Sequence, residues 1–320
     1  MFKLNKRKVL TPLIEILILV LLIPSVTCLI KLFFNNNKSG SIASYNNLLV
    51  HFISVGQADA IAINFPNGEV AVIDTGSEYS NKKVVDYINN YVISNKHNKK
   101  IDHLFYTHAD TDHTGGLIAL LNNYDCLNIY RPLQYASFEQ NKSELGQIVD
   151  NENYEKAVDL IYKETKDQIF IENNLNFYVG EVLIQIFYPV YNRKDSNEYS
   201  YFIKLSYKSK SVLFTGDVTA EGEEYALSQF GSELDSDVLK VAHHGSDSSS
   251  SLNFLNAVSA ETAVISVGKN NFGHPTSAVL NNLTNSGVKN IYRTDSSGNV
   301  LIEINKDILV HQNDYFISNF

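Results

Sequence analysis

The chemistry of this chain concentrates in the run Thr107-His108-Ala109-Asp110-Thr111-Asp112-His113-Thr114-Gly115-Gly116, which follows an apolar stretch. Within it, His108, Asp110, Asp112 and His113 supply two imidazoles and two carboxylates. Such a mixed donor set suits zinc, manganese or iron(II), and Gly115 and Gly116 let the backbone turn tightly into a following helix. Four further segments at the ends of apolar runs add donors. Phe214-Thr215-Gly216-Asp217 ends in a carboxylate where a two-metal site places its bridging ligand. Leu239–Ser246 carries His243 and His244. Neighbours on an extended backbone point to opposite sides, so one is read as a ligand and the other as a group that orients a ligand or works on the substrate. In Gly273-His274-Pro275-Thr276, Pro275 suits the first turn of a helix, which puts His274 at a helix N-terminus, a setting that favours anions. Asp74, in Ile73-Asp74-Thr75-Gly76, either orients a ligand histidine from behind or only forms a turn. Ser246 and Thr276 are candidate phosphate contacts. His51, His97, His103 and His311 lack any such context and read as structural or surface residues.

The elements that must hold these residues alternate between strands and helices. Leu48–Ser54, Ala60–Phe65 and Val70–Ile73 read as strands, with Asn67-Gly68 as a hairpin turn. Residues 81–94 read as a helix, Ile101–Thr107 as a buried strand, and Gly116–Asn122 as the start of another helix. The stretch 122–198, rich in Asn, Tyr, Glu and Lys, mixes helices (around 143–165) with short strands in no clear order. From Tyr201 the alternation returns. Strands fall at Tyr201–Tyr207, Ser211–Thr215, Val238–Ala242, Ala263–Val267, 290–293 and 299–304, with helices at 219–229, 251–258 and from Pro275. The pattern predicts two sheets packed face to face with helices outside, the site residues sitting in loops at strand ends.

The chain has 320 residues, room for one large domain or two ordinary ones. Its net charge is −9, and only six of its 26 Lys and Arg residues (Lys3, Lys6, Arg7, Lys8, Lys31 and Lys38) lie in residues 1–40. The remainder therefore holds 20 basic residues against 34 acidic ones, which argues against a broad basic surface for duplex nucleic acid. Cys28 and Cys126 are too few for a disulfide scaffold or a cysteine-rich zinc module. Residues 10–34 (LTPLIEILILVLLIPSVTCLIKLFF) are long enough as a helix, roughly 37 Å, to cross a hydrocarbon core of about 30 Å. The basic tail 1–9 then stays cytoplasmic and the rest is extracellular. No A-x-A-like cleavage site follows, so the segment reads as a single-pass anchor to the cell membrane, joined by the polar linker 35–46 to a domain over 47–320.

Taken in order, these motifs resemble the metallo-β-lactamase fold, and within it the branch holding the C-terminal hydrolase domain of ComEC-type competence proteins. The matching stretches are Phe52–Ala60, Ile73–Gly76, His108–Gly116, Leu213–Asp217, Leu239–Ser246, Gly273-His274-Pro275 and Tyr292-Arg293-Thr294-Asp295. The wider family carries HxHxDH, and Asp110 stands where its second histidine would. That replacement is typical of the ComEC-like branch and of the similar phosphorylcholine esterases. Ala58 departs from the glycine of the branch's VGQGD. The resemblance implies an αββα sandwich with a two-metal site along one sheet edge. It assigns His108, Asp110 and one histidine of the 243–244 pair to one metal, and Asp112, His113 and His274 to the other, with Asp217 bridging. Asn197 lies roughly where many relatives supply a further histidine, so the pair must provide the missing nitrogen. His243, nearer the strand end, is expected as that ligand, and His244 as an acid or anion clamp facing the substrate beside Asp112.

The expected cofactors are two divalent ions, Zn or Mn, and the expected chemistry is hydrolysis by a metal-activated hydroxide. The expected substrate is a phosphodiester: nucleic acid, a nucleotide, or a cell-envelope phosphodiester of the phosphorylcholine type. A catalytically inactive tethered binding domain would have lost ligands, and the set here is complete. No obligate protein partner is implied, and a chain with one span is not itself a DNA channel.

Overall fold

The computed structural model describes residues 46–93, 99–139, 146–164, 167–191 and 193–313. The basic tail 1–9, the apolar segment 10–34, nearly all of the linker 35–46, and His97 lie outside the described residues. No helix among the described residues is long and apolar enough to cross a membrane.

Strands β1 (Leu48–Phe52), β2 (Ala60–Asn64), β3 (Val70–Thr75), β4 (Lys100–Phe105) and β5 (Asp125–Arg131) open the chain, followed by the short pair β6 (Gln134–Tyr135) and β7 (Gln147–Ile148). Next come β8 (Asp167–Phe170), β9 (Leu175–Val179), β10 (Val182–Phe187), β11 (Phe202–Tyr207) and β12 (Lys210–Phe214). The last are β13 (Val238–Lys240), β14 (Thr262–Ile265), β15 (Asn290–Arg293), β16 (Val300–Ile304) and β17 (Ile308–His311). They build an eight-stranded sheet in the order β17-β16-β1-β2-β3-β4-β5-β8 and a seven-stranded sheet in the order β15-β14-β13-β12-β11-β10-β9. Each sheet is antiparallel on one side and parallel on the other. The switch falls after β3 in the first sheet and after β12 in the second.

Alternation explains the layering. Val50 and Phe52 of β1, Ile184 and Ile186 of β10, and Val212 and Phe214 of β12 share one buried cluster between the sheets. The residues between them face outward. Phe202, Leu213 and Leu239 pack on Phe254 and Leu255 of the helix Leu252–Val258 and on Val279 and Leu283 of the helix Ser277–Asn285. On the other sheet, His51 points outward to the Tyr87 hydroxyl of the helix Asn81–Tyr87. This is the helix–sheet–sheet–helix order expected from alternating strands and helices. The Asn67-Gly68 turn joins β2 to β3 as anticipated, with Gly68 at φ +90° and Phe65 N–H donating to Glu69 C=O at 3.0 Å.

The region 122–198 proves to extend both sheets. β5 and β8 complete one edge, and β9 and β10 complete the other. Its anchor is Arg131, fully buried at the end of β5. The guanidinium pairs with Glu139 (3.0 Å), donates to Gln134 C=O (2.7 Å) and Gln168 Oε1 (2.8 Å), and lies 4.7 Å from the Phe170 ring centre. Gln134 then accepts the Ala109 N–H at 2.7 Å, which ties this region to the histidine-rich loop.

Candidate metal centre

The loops after β3, β4, β12, β13 and β14, all at carboxyl ends of strands, converge at one edge of the two sheets. Asp74, one residue before the end of β3, adopts φ +56°. Its Oδ1 accepts the Thr107 N–H at 2.8 Å, and its Oδ2 accepts the Thr107 hydroxyl at 2.9 Å. The same Oδ2 faces His113 Nδ1 at 2.8 Å. The pairing assigns the proton of His113 to Nδ1 and directs its Nε2 toward Asp217 Oδ1, 3.3 Å away.

Two more imidazoles repeat this arrangement. His244 Nδ1 donates to the Ser266 carbonyl at 2.8 Å, while its Nε2 lies 3.3 Å from Asp112 Oδ2 and 3.4 Å from Asp217 Oδ2. His108 Nδ1 meets the hydroxyls of Thr107 (3.1 Å) and Ser200 (3.3 Å), and its Nε2 lies 3.6 Å from Asp110 Oδ2. In all three rings the Nε2 atom is buried with no hydrogen-bond partner, and so is Asp217 Oδ1. Each such atom costs on the order of 1–3 kcal/mol if nothing completes it. Ligand atoms of Asp112, His113, Asp217 and His244 all lie within 4.8 Å of one another. Three orphaned imidazole nitrogens among carboxylates fit a divalent cation, and each has an acceptor or hydroxyl behind it to set its tautomer.

The proton affinities fit the same reading. Burial disfavours the charged form of His113, yet Asp217 and Asp74 outweigh it and hold the ring well above the usual histidine range. His244 is raised likewise against its burial, by Asp217 and Asp112. Asp217 and Asp112 fall below the usual carboxylate range in spite of burial, because His113 and His244 face them. Asp110 is also lowered against its partial burial, by His108 and Ser196. A cluster that must gather protons to balance its carboxylates is one in which a cation can take their place.

His243 and His244 do not continue an extended strand. β13 stops at Lys240, and both histidines take left-handed backbone, at φ 50° and 53°. The expectation of opposite sides rested on continued extension and does not apply. His243 is partly exposed, with Nε2 3.8 Å from Asp217 Oδ2 and Nδ1 3.1 Å from Ser248 Oγ, and it stands outside the converging group. His274 also stands outside it. A cis bond joins it to Pro275, two residues ahead of the helix Ser277–Asn285, and its ring meets His243 edge-on at 5.9 Å. The Thr276 oxygen caps that helix by accepting the Val279 N–H, so the helix N-terminus falls beyond His274. Ser246 Oγ is buried and paired with Ser248 Oγ at 2.9 Å. Asn197 opens a short turn, Asn197–Tyr199, with its Oδ1 buried and unpartnered. Asp110 and Asp112 line a cleft of about 320 Å³ together with Ser196 and Asn151.

Sequence reasoning missed two supports. Lys240 is buried beneath the site and ion-paired with Asp59. It also donates to Gly216 C=O at 3.1 Å and lies 3.7 Å from Asp217 Oδ1. Burial pulls its ammonium down, but Asp59 and Asp217 lift it above the ordinary value. Ser200 holds both His108 and the Asp217 N–H (3.1 Å) through one hydroxyl. The signal for Lys240 was a charge inside an apolar strand, which needs a buried partner. Ser200 gave none. Ala58 lies outside the positive-φ positions, so its Cβ needs no glycine there.

A family model described as the metallo-beta-lactamase superfamily matches residues 53–269. The chain belongs to the metallo-beta-lactamase superfamily. Within the superfamily it is similar to ComE operon protein 3 of Bacillus subtilis, with 28% identity over 264 residues, 78% of this chain and 32% of that protein. It is also similar to competence protein ComA of Neisseria gonorrhoeae, with 45% identity over 105 residues, 32% of this chain and 15% of that protein. Both similarities agree with the ComEC-type branch, although the chain spans about a third or less of the length of these relatives. Among solved structures, the metallo-beta-lactamase fold protein YhfI from Bacillus subtilis covers 81% of this chain over its own full length, at a TM-score of 0.54 and 12% identity. That likeness concerns the fold.

Proposed function

We propose that this chain is a metal-dependent phosphodiesterase acting on nucleic acid or nucleotides outside the cell, anchored by residues 10–34. The observation that carries the reading is the set of three buried imidazoles whose unpartnered Nε2 atoms sit among Asp110, Asp112 and Asp217. Similarity to competence proteins supports nucleic acid as the phosphodiester. When bound, two divalent cations supply a nucleophilic hydroxide and Lewis acidity toward a phosphoryl oxygen.

The chain's own residues divide the remaining work. Asp112, His113, His244 and Asp217 would hold one cation. His108 and Asp110 would hold the other, with Asp217 as the carboxylate shared between them. Asp74 and the Ser266 carbonyl keep His113 and His244 in the tautomer that presents Nε2. His243 takes the role expected of its neighbour. It is partly exposed and close to Asp217 without joining the cluster, so it gives a proton to the leaving oxygen. Asn197 Oδ1 stays available as an acceptor.

Metal content and rates of two variants test this on single-stranded DNA and bis(p-nitrophenyl) phosphate. His244→Ala loses metal together with activity. His243→Ala keeps its metal while kcat falls by about 10²–10⁴. Metal lost from His243→Ala and retained in His244→Ala overturns the assignment. Protease added to intact spheroplasts digests the 47–320 domain if the anchor orientation is right, and full protection refutes it.

A further inference from the structure

Phe272 is 74% exposed, although it sits in a loop that is firmly held. Asn270 ties that loop down. Its side-chain amide donates to Gly268 C=O (2.9 Å) and His274 C=O (2.9 Å), and its Oδ1 accepts the Phe272 N–H (3.0 Å) and the His274 N–H (3.1 Å). Gln57 pins the same loop from the other sheet by accepting the Gly268 N–H at 3.3 Å. The loop is pinned, yet it leaves most of the phenyl ring in water.

The ring's position is informative. Phe272 lies over His274 with centroids 5.6 Å apart and planes 29° apart, and His274 meets His243, which borders Asp217. One face of an exposed aromatic is thus backed by an imidazole two ring contacts from the cluster of carboxylates. Lys269, on the same loop, is exposed and forms no ion pair among the described residues. A solvent-facing ring and an exposed ammonium on one short loop are the elements that grip unpaired nucleic acid, the ring taking the base and the ammonium the phosphate.

We propose that the loop Gly268–His274 is a nucleobase platform, with Phe272 stacking a base and Lys269 meeting an adjoining phosphate, and that it selects single-stranded nucleic acid as the substrate. The proposal rests on the phosphodiesterase reading above and adds the substrate class. The acidic balance of the chain fits it, because stacking lets a local grip replace a broad basic surface.

The test uses the full chain with an eight-nucleotide thymidine oligomer and an abasic deoxyribose-phosphate chain of equal length. Binding is read by fluorescence anisotropy in chelator, and cleavage is read with metal restored. The wild type prefers the base-bearing oligomer, and Phe272→Ala reduces that preference by about 5- to 100-fold, the range for one lost stack. Phe272→Trp keeps it. Lys269→Gln weakens both oligomers alike and lowers the salt slope by about one. If the wild type cleaves both oligomers but does not distinguish them, or if Phe272→Ala keeps the preference, the platform is refuted while the phosphodiesterase reading stands. If the metal-loaded wild type cleaves neither oligomer nor bis(p-nitrophenyl) phosphate, that reading fails and takes the platform with it.

Discussion

His51 and His113 are both fully buried, yet they lie in opposite kinds of surroundings. On the outer face of the first sheet, both nitrogens of His51 are occupied, by the Tyr87 hydroxyl and Asn64 Oδ1, each at 3.0 Å. Burial pushes its pKa down to about 4, so the ring is a neutral packing element. Both nitrogens of His103 are likewise occupied, by Tyr130 and Glu69. At the strand ends, His113, His244 and His108 have one nitrogen held and the other buried without a hydrogen bond among carboxylates. Burial alone therefore says little about a histidine's task. Completeness of its hydrogen bonding separates the structural ring from the one awaiting a ligand.

The contrast can be broken most severely at the shared carboxylate. Asp217→Ala should lower turnover by several orders of magnitude and reduce bound metal, because two cations would then face each other without the anion between them. Normal metal content and rate in that variant would remove Asp217 from its place. Beneath the site, Lys240→Met takes from the buried Asp59 its lysine partner, leaving only the more distant His113 and His244 rings, and should cost about 3–5 kcal/mol of stability in denaturant titration. The added mutation Asp59→Leu should recover part of that loss, and no recovery would show that the ion pair is not the cause.

The structural histidine supplies the control. The folded state keeps His51 neutral below its ordinary 6.5, so stability is full above pH 6.5 and drains away as pH falls toward 4. The loss reaches about 3 kcal/mol once both states are protonated. In His51→Gln this portion of the pH dependence should vanish, as judged from unfolding midpoints between pH 7 and 4, with bound metal unchanged. The mildest change is Asp74→Asn. It should weaken metal affinity or activity by about 10- to 100-fold, because the His113 ring loses its carboxylate while Asp217 still faces it. An effect as large as that of Asp217→Ala would mean that Asp74 does more than orient His113.

The sequence by itself was enough for the paired sheets, the Asn67-Gly68 hairpin and the gathering of donors at strand ends. Period-two alternation and a motif confined to six residues are local signals, and they survive without knowledge of the fold. The 122–198 region resisted reading because Arg131, which organises it, looks like a surface residue until Glu139, Gln134 and Gln168 are brought around it. Which of His243 and His244 enters the cluster depended on left-handed backbone at both positions, a conformation their side chains do not announce. The supports of Lys240 and Ser200 arise between segments far apart in the chain, with Asp59 181 residues from Lys240 and His108 92 residues from Ser200. Only tertiary structure could decide those, because the free energy of a buried charge or hydroxyl is set by the partner that packing delivers and not by its neighbours in sequence.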